Sequence, residues 1–136
     1  MASSERAWQP VTLRGDGPAP AGAYSPAVRA GDFVYVSGQV PRDPRTGETV
    51  AGGIEEQTRQ TLENVRVVLE TAGARLEDVV AVTAYLADID LWGAFNAVYK
   101  EVFHPPYPTR TALGAQLRGF LVEITVVAYA PTRRGG

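Results

Sequence analysis

The chain has 136 residues, close to one ordinary domain, and its 45% apolar and 21% charged composition is that of a chain that buries a core. Thirteen basic against fifteen acidic side chains leave a net charge of −2, which excludes a whole-protein field for steering phosphate polymers or anionic membranes. The absence of cysteine, a single histidine (His104) and four serines outside any G-x-S-x-G elbow remove disulfides, thiol nucleophiles, a three-histidine metal site within one chain and the hydrolase elbow.

What remains for chemistry is arginine, carboxylates, tyrosine and backbone groups. Lys100 is the sole lysine, so a Schiff base would rest on one residue of an exposed helical stretch. No segment approaches 18 consecutive apolar residues, and the start lacks the apolar core of a secretory signal. The expectation is a cytoplasmic protein forming one domain over 1–136, with frayed ends at 1–7 and 131–136.

In chain order, Trp8 to Leu13 reads as a short strand, its Pro10 favouring a sheet edge. A Gly/Pro-rich stretch at 15–22 reads as a surface loop. Ala27-Val28-Arg29 and Phe33-Val34-Tyr35-Val36 flank a Gly31 turn and predict a hairpin. Glu55 to Thr71 places Leu62, Val65, Val68, Leu69 and Ala72 on one helical face, opposite Glu56, Arg59, Glu63, Arg66 and Glu70. Gly73 supplies the stop. Val79 to Ala87 predicts a strand with Val80, Val82, Ala84 and Leu86 on one side. Ile89, Trp92, Phe95, Tyr99, Val102 and Phe103 recur at helical spacing and must stop before Pro105-Pro106. His104 follows as a dipole partner of that helix's C-terminus. Thr111 to Leu117 and Leu121 to Tyr129 are the last two strands.

The order is βββαβαββ, an α+β fold with a mixed sheet. Right-handed crossovers then put both helices on one face of the sheet. The last strand is nevertheless apolar on both sides: Val122, Ile124, Val126 and Ala128 on one, Leu121, Val127 and Tyr129 on the other. A sheet with two apolar faces and helices for one predicts an oligomer, unless loops or the N-terminal segment cover the second.

Glu123 interrupts that apolar run on the uncovered face. It is either an exposed or ion-paired strand residue, or a semi-buried carboxylate suited to moving protons near neutrality. Arg110 lies in Tyr107-Pro108-Thr109-Arg110-Thr111, where prolines stiffen the approach to a strand. It is either a structural ion-pair partner or a clamp for a carboxylate or phosphate. Tyr24 and Ser25 are loop anchors or pocket residues. Asn96, between Phe95 and Tyr99, is a helix-surface amide or a pocket donor.

Together these segments resemble the RidA (YjgF-type) reactive-intermediate deaminases, also labelled L-PSP endoribonucleases. Ala21 to Val28 (AGAYSPAV) resembles the family's GPYSQAV opening, Val36 to Pro41 its SGQIP, and Asp43 to Glu48 its DPxTGE. Gln57 to Val65 is similar to its first helix, Tyr107 to Thr111 to PARS/T, and Leu121 to Ile124 to VEIE. The resemblance runs, in order, from about 18 to 130. It implies a chorismate-mutase-like fold assembled as a homotrimer with active sites in the clefts between subunits. It further implies hydrolysis of 2-imino or enamine acids to 2-keto acids and ammonia, with no cofactor and no metal. By the same resemblance Arg110 clamps the substrate carboxylate and Glu123 activates water. Tyr24, Ser37, Gly38 and Asn96 shape the pocket, and Ala112 contributes its backbone where many members have cysteine. Thr125, Gly114 and Gln116 also depart from the family pattern, which bears on substrate size rather than on reaction type. Two alternatives remain: a non-enzymatic ligand-binding or regulatory trimer of the same fold, and an endoribonuclease. Against RNA stand the charge balance and the lack of a basic aromatic stripe.

Overall fold

The computed structural model describes residues 5–13 and 22–132. The loop expected at 15–22 lies outside these residues except for Gly22, as do 1–4 and 133–136 of the expected frayed ends. The predicted order is found: β1 (Gln9–Val11), β2 (Ala27–Ala30), β3 (Phe33–Gln39), α1 (Ile54–Thr71), β4 (Val79–Leu86), α2 (Trp92–Val102), β5 (Thr109–Gly114) and β6 (Val122–Tyr129).

All six strands form one mixed sheet in the order β1-β2-β3-β6-β4-β5. The last strand of the chain is thus inserted at the middle, antiparallel to β3 on one side and β4 on the other. That makes β3 and β4 parallel, as their helical crossover demands, while β4 and β5 pair directly in parallel. A central strand has sheet neighbours on both sides, and β6 accordingly carries the longest two-faced apolar run. β1, with its Pro10, takes one edge and β5 the other.

Both helices lie on one face. They cover Val34, Val36, Val82, Ala84, Leu86, Val122, Ile124, Val126 and Ala128, all buried, with Leu62, Val65, Val68, Leu69, Phe95 and Tyr99 facing down onto them. On the opposite face Phe33, Tyr35 and Tyr129 stay exposed, Phe33 and Tyr129 in edge-to-face contact at 5.2 Å. Among the described residues no helix is long and apolar enough to cross a membrane.

Four expectations are corrected. Val80 is exposed and Val79 buried, because an irregularity between Val79 and Ala81 against β6 reverses the alternation at the start of β4. Ile89 is outside the second helix, in a 3₁₀ turn over Ile89–Leu91 whose Asp88 carboxylate accepts the Asp90 N–H at 2.9 Å. β5 runs over Thr109–Gly114 rather than Thr111 to Leu117, since its partner β4 offers pairing only from Ala81 to Leu86. The buried face of α1 also includes polar residues, Gln57, Thr58 and Thr61, which the apolar periodicity passes over.

Candidate functional site

The predicted residues fall into two groups. The first is built on β5 and α2. Trp92, Phe95, Asn96 and Tyr99 occupy one face of α2 at steps of three and four, and Arg110, second residue of β5, reaches across to them. Its Nη1 donates to Asn96 Oδ1 at 2.7 Å, and its guanidinium carbon lies 4.6 Å from the Tyr99 ring centre, 5.4 Å from Trp92 and 5.9 Å from Phe95. No carboxylate of the described residues pairs with it. Nε and Nη2, the two parallel donors on the other edge of the fork, make no hydrogen bond to a described residue. A planar cation held on its rings by about 1 kcal/mol or more per contact, with two aligned N–H groups left over, can take a carboxylate bidentately. Burial pushes the Tyr99 phenol up, and its hydroxyl is buried without a hydrogen-bond partner among the described residues. Ala112 is one pleat further on, opposite Ala84, and packs on the same helical layer.

The second group lies on the uncovered face. Glu123 sits opposite Tyr85 on β4, so its side chain points away from the helices. Its carboxylate lies over Gly38, and a Cβ at position 38 would overlap Oε2 and stand 3.0 Å from Cδ. The β3–β6 register shift between Val36 and Gln39 brings that glycine under the carboxylate. Burial pushes the Glu123 carboxyl above the usual carboxylate range, and no described cation pairs with it. Ser37 donates its hydroxyl to Ser25 O at 2.6 Å and its N–H to Pro26 O at 2.9 Å, pinning the loop that presents the exposed Tyr24. His104 is exposed beyond the end of α2 and belongs to neither group.

Two positioning residues escaped the sequence reading. Gln57 accepts the Leu121 N–H at 2.8 Å, fixing the entry to β6 two residues before Glu123. Asn64 donates to both Val40 O and Arg42 O at 2.9 Å, fixing the exit of β3 after Gly38. The signal was present as polar side chains on the inward face of an amphipathic helix.

The two groups do not meet within one chain. Arg110 is level with Val82 and faces the helices, whereas Glu123 is level with Tyr85 and faces away. Two strand spacings and three residues separate them, about 10 Å in each direction and on opposite sides of the sheet.

Comparison with known proteins yields three kinds of match. The family model described as endoribonuclease L-PSP matches residues 15–130. A RutC family protein of Pyrococcus horikoshii is 45% identical over 121 residues, covering 88% of this chain and 96% of its own. The 2-iminobutanoate/2-iminopropanoate deaminase of Rattus norvegicus is 41% identical over 113 residues, 82% of each chain. Among solved structures, RidA from an Antarctic Psychrobacter superposes with a TM-score of 0.81 at 35% identity, covering 89% of this chain and 99% of that one.

Proposed function

The chain belongs to the endoribonuclease L-PSP (RidA, YjgF-type) family, and from that premise we propose that it hydrolyses reactive 2-imino and enamine acids to 2-keto acids and ammonia, as a homotrimer. The observation that carries the reading is Arg110: braced through Nη1 and three aromatic rings, with its Nε/Nη2 edge making no hydrogen bond to a described residue. The name of the rat relative supports the same reaction type.

The reaction asks for little. An enamine acid gains a solvent proton at C3 and an imine acid gains one at nitrogen; either becomes the iminium, whose C2 is strongly electrophilic. The substrate carboxylate accepts the two free Arg110 N–H groups, which fixes C2. Water adds to C2, forming the C–O bond, while Glu123 accepts a proton from that water. Glu123 then returns the proton to the amine nitrogen. The C–N bond breaks as the hydroxyl proton passes to the Glu123 carboxylate, giving ketone and ammonia. A carboxyl raised above its usual range by burial suits both halves of this exchange near neutrality, and such proton transfer is worth about 10²–10⁴-fold. Tyr24, Ser37 and Gly38 border the carboxylate side, and Asn96 acts through Arg110.

Because the two groups stand on opposite faces, one substrate meets both only where a second copy supplies the missing half. The uncovered face with Phe33, Tyr35 and Tyr129 supports such packing. The test is ammonia release from 2-aminoacrylate and 2-iminobutanoate made in situ by serine and threonine dehydratases. Acceleration over the uncatalysed decay is expected. Binding of the keto acids without acceleration would leave a ligand-binding trimer instead.

A further inference from the structure

We infer that Thr125 is a positioning residue for the reaction, its hydroxyl holding the peptide that sets Gly38 beneath the Glu123 carboxylate. This rests on the deaminase reading and adds to it a residue that acts through another.

The pairing of β3 with β6 is interrupted at one place. Val36 is level with Val126 and Gln39 with Ile124, so Ser37 and Gly38 together stand against the single residue Thr125. A bulge of this kind re-aims the chain locally, and two residues facing one need further contacts to fix how they lie. Here the Val36–Ser37 peptide is gripped at both ends. The Ser37 N–H donates to Pro26 O at 2.9 Å on the β2 side. A trans peptide points its carbonyl the opposite way, toward β6, and there the Val36 carbonyl accepts the Thr125 hydroxyl. The following carbonyl, that of Ser37, accepts Gln39 Nε2 at 3.1 Å. Gly38 is therefore tethered through the peptides on its N-terminal side.

The tether and the carboxylate share a face. Glu123 and Thr125 are two apart on β6 and alternate with the buried Val122, Ile124 and Val126, so both leave the sheet on the side away from the helices. The Glu123 carboxylate rests on Gly38 with no room for even a Cβ between them. Where Gly38 lies thus decides where the proton carrier stands, and a misplacement of about 1 Å costs up to about 10²-fold in rate. The Thr125 bond lies within one protomer, so packing of a second copy on this face leaves it in place.

The experiment compares parent, Thr125→Val and Thr125→Ser. Valine is close to threonine in shape and in strand preference but donates no hydrogen bond, whereas serine returns the donor. Each preparation is measured for kcat and KM on 2-iminobutanoate made in situ, for calorimetric binding of 2-oxobutanoate and for melting temperature, and both variants are crystallised. Thr125→Val should lower kcat about tenfold or more, while 2-oxobutanoate, held by the untouched Arg110, binds within about twofold of parental. Thr125→Ser should restore most of kcat. In the crystals the carboxylate should leave Gly38 in the valine variant and stay in the serine variant. A valine variant with parental kcat would overturn the assignment whatever its melting temperature, and so would a loss that serine does not restore. Both results keep the deaminase reading. If the parent hydrolyses no imine, a carboxylate displaced by valine and not by serine would keep the tether and sink the deaminase reading, and an unmoved carboxylate would sink both.

Discussion

Lysine at position 110 would keep the charge and lose the planar edge with its two aligned donors, along with the stacking on Tyr99 and Trp92. Losing one charged hydrogen bond in a cleft amounts to about 1.5–3 kcal/mol, so Arg110→Lys should lower kcat/KM on 2-iminobutanoate roughly ten- to a hundredfold with the fold intact. Parental turnover by that variant would make Arg110 a packing residue. Glu123 presents the reverse balance of stability and activity. Burial holds its carboxyl above the usual range, so the folded protein binds this proton more tightly than the unfolded chain does. The stability linked to it is complete below the unfolded pKa of about 4.3 and is lost as pH rises through the higher folded value. At neutral pH the ionised side chain therefore costs stability. Glu123→Gln should melt above the parent at about pH 7, the gap closing in acid, while deamination falls at least about 10²-fold. Melting curves across pH and turnover on the same preparation check both. A variant that melts lower and turns over normally would point to a structural carboxylate with an ion-pair partner in the assembly.

Between elements, two contacts decide whether those side chains stand where they do. Gly38 has an ordinary backbone conformation, so alanine there strains nothing by itself, but its Cβ would drive the Glu123 carboxylate off the strand. Gly38→Ala should accordingly fold and melt near the parent while losing at least about tenfold in kcat, the mark of a displaced proton carrier. Arg29 on β2 donates to Ala130 O at 2.8 Å and Ala72 O at 3.0 Å, tying the end of α1 to the end of β6. Arg29→Ala should lower stability by about 1.5–3 kcal/mol, read by denaturant unfolding. How far the sequence reveals these elements follows from the range of the forces involved. The helices and strand alternation are local, so Leu62, Val65, Val68 and Leu69 declared the α1 face by spacing alone. Insertion of β6 between β3 and β4 is a long-range pairing, visible beforehand only as a strand apolar on both sides. The Val80 reversal depends on one extra residue in a ladder, which no period records. Arg110 and Glu123 stood out as charges where neighbours are apolar or proline. The ring face that cradles Arg110 looked like an ordinary core stripe, because Trp92, Phe95 and Tyr99 have the spacing of one. Gln57 and Asn64 were hidden for the opposite reason, being polar on a face judged by its apolar members.

At the scale of the whole molecule, the separation of Arg110 from Glu123 becomes a prediction about assembly. Register sets them on opposite faces of one sheet, about 10 Å apart along the strands and again across them, so no substrate of a few carbons spans both in one chain. In a closed ring of three copies, each site would take Arg110 from one protomer and Glu123 from the next. Arg110→Lys and Glu123→Gln trimers should each be nearly inactive for lack of one half. Unfolded together in equal amounts and refolded, three-quarters of random trimers would be mixed, and in each mixed ring one site of three receives an intact arginine and an intact glutamate. Activity should therefore return to about a quarter of the parental value, while each variant refolded alone stays at its own residual level, about a tenth of parental or below. Sedimentation of the mixture gives the mass that the arithmetic assumes. If both halves belonged to the same protomer, every copy in the mixture would still carry a defect, and mixing would restore no activity at any ratio. A stable monomer at micromolar concentration would remove the shared site altogether, and with it the occupant proposed for the face that carries Phe33, Tyr35 and Tyr129.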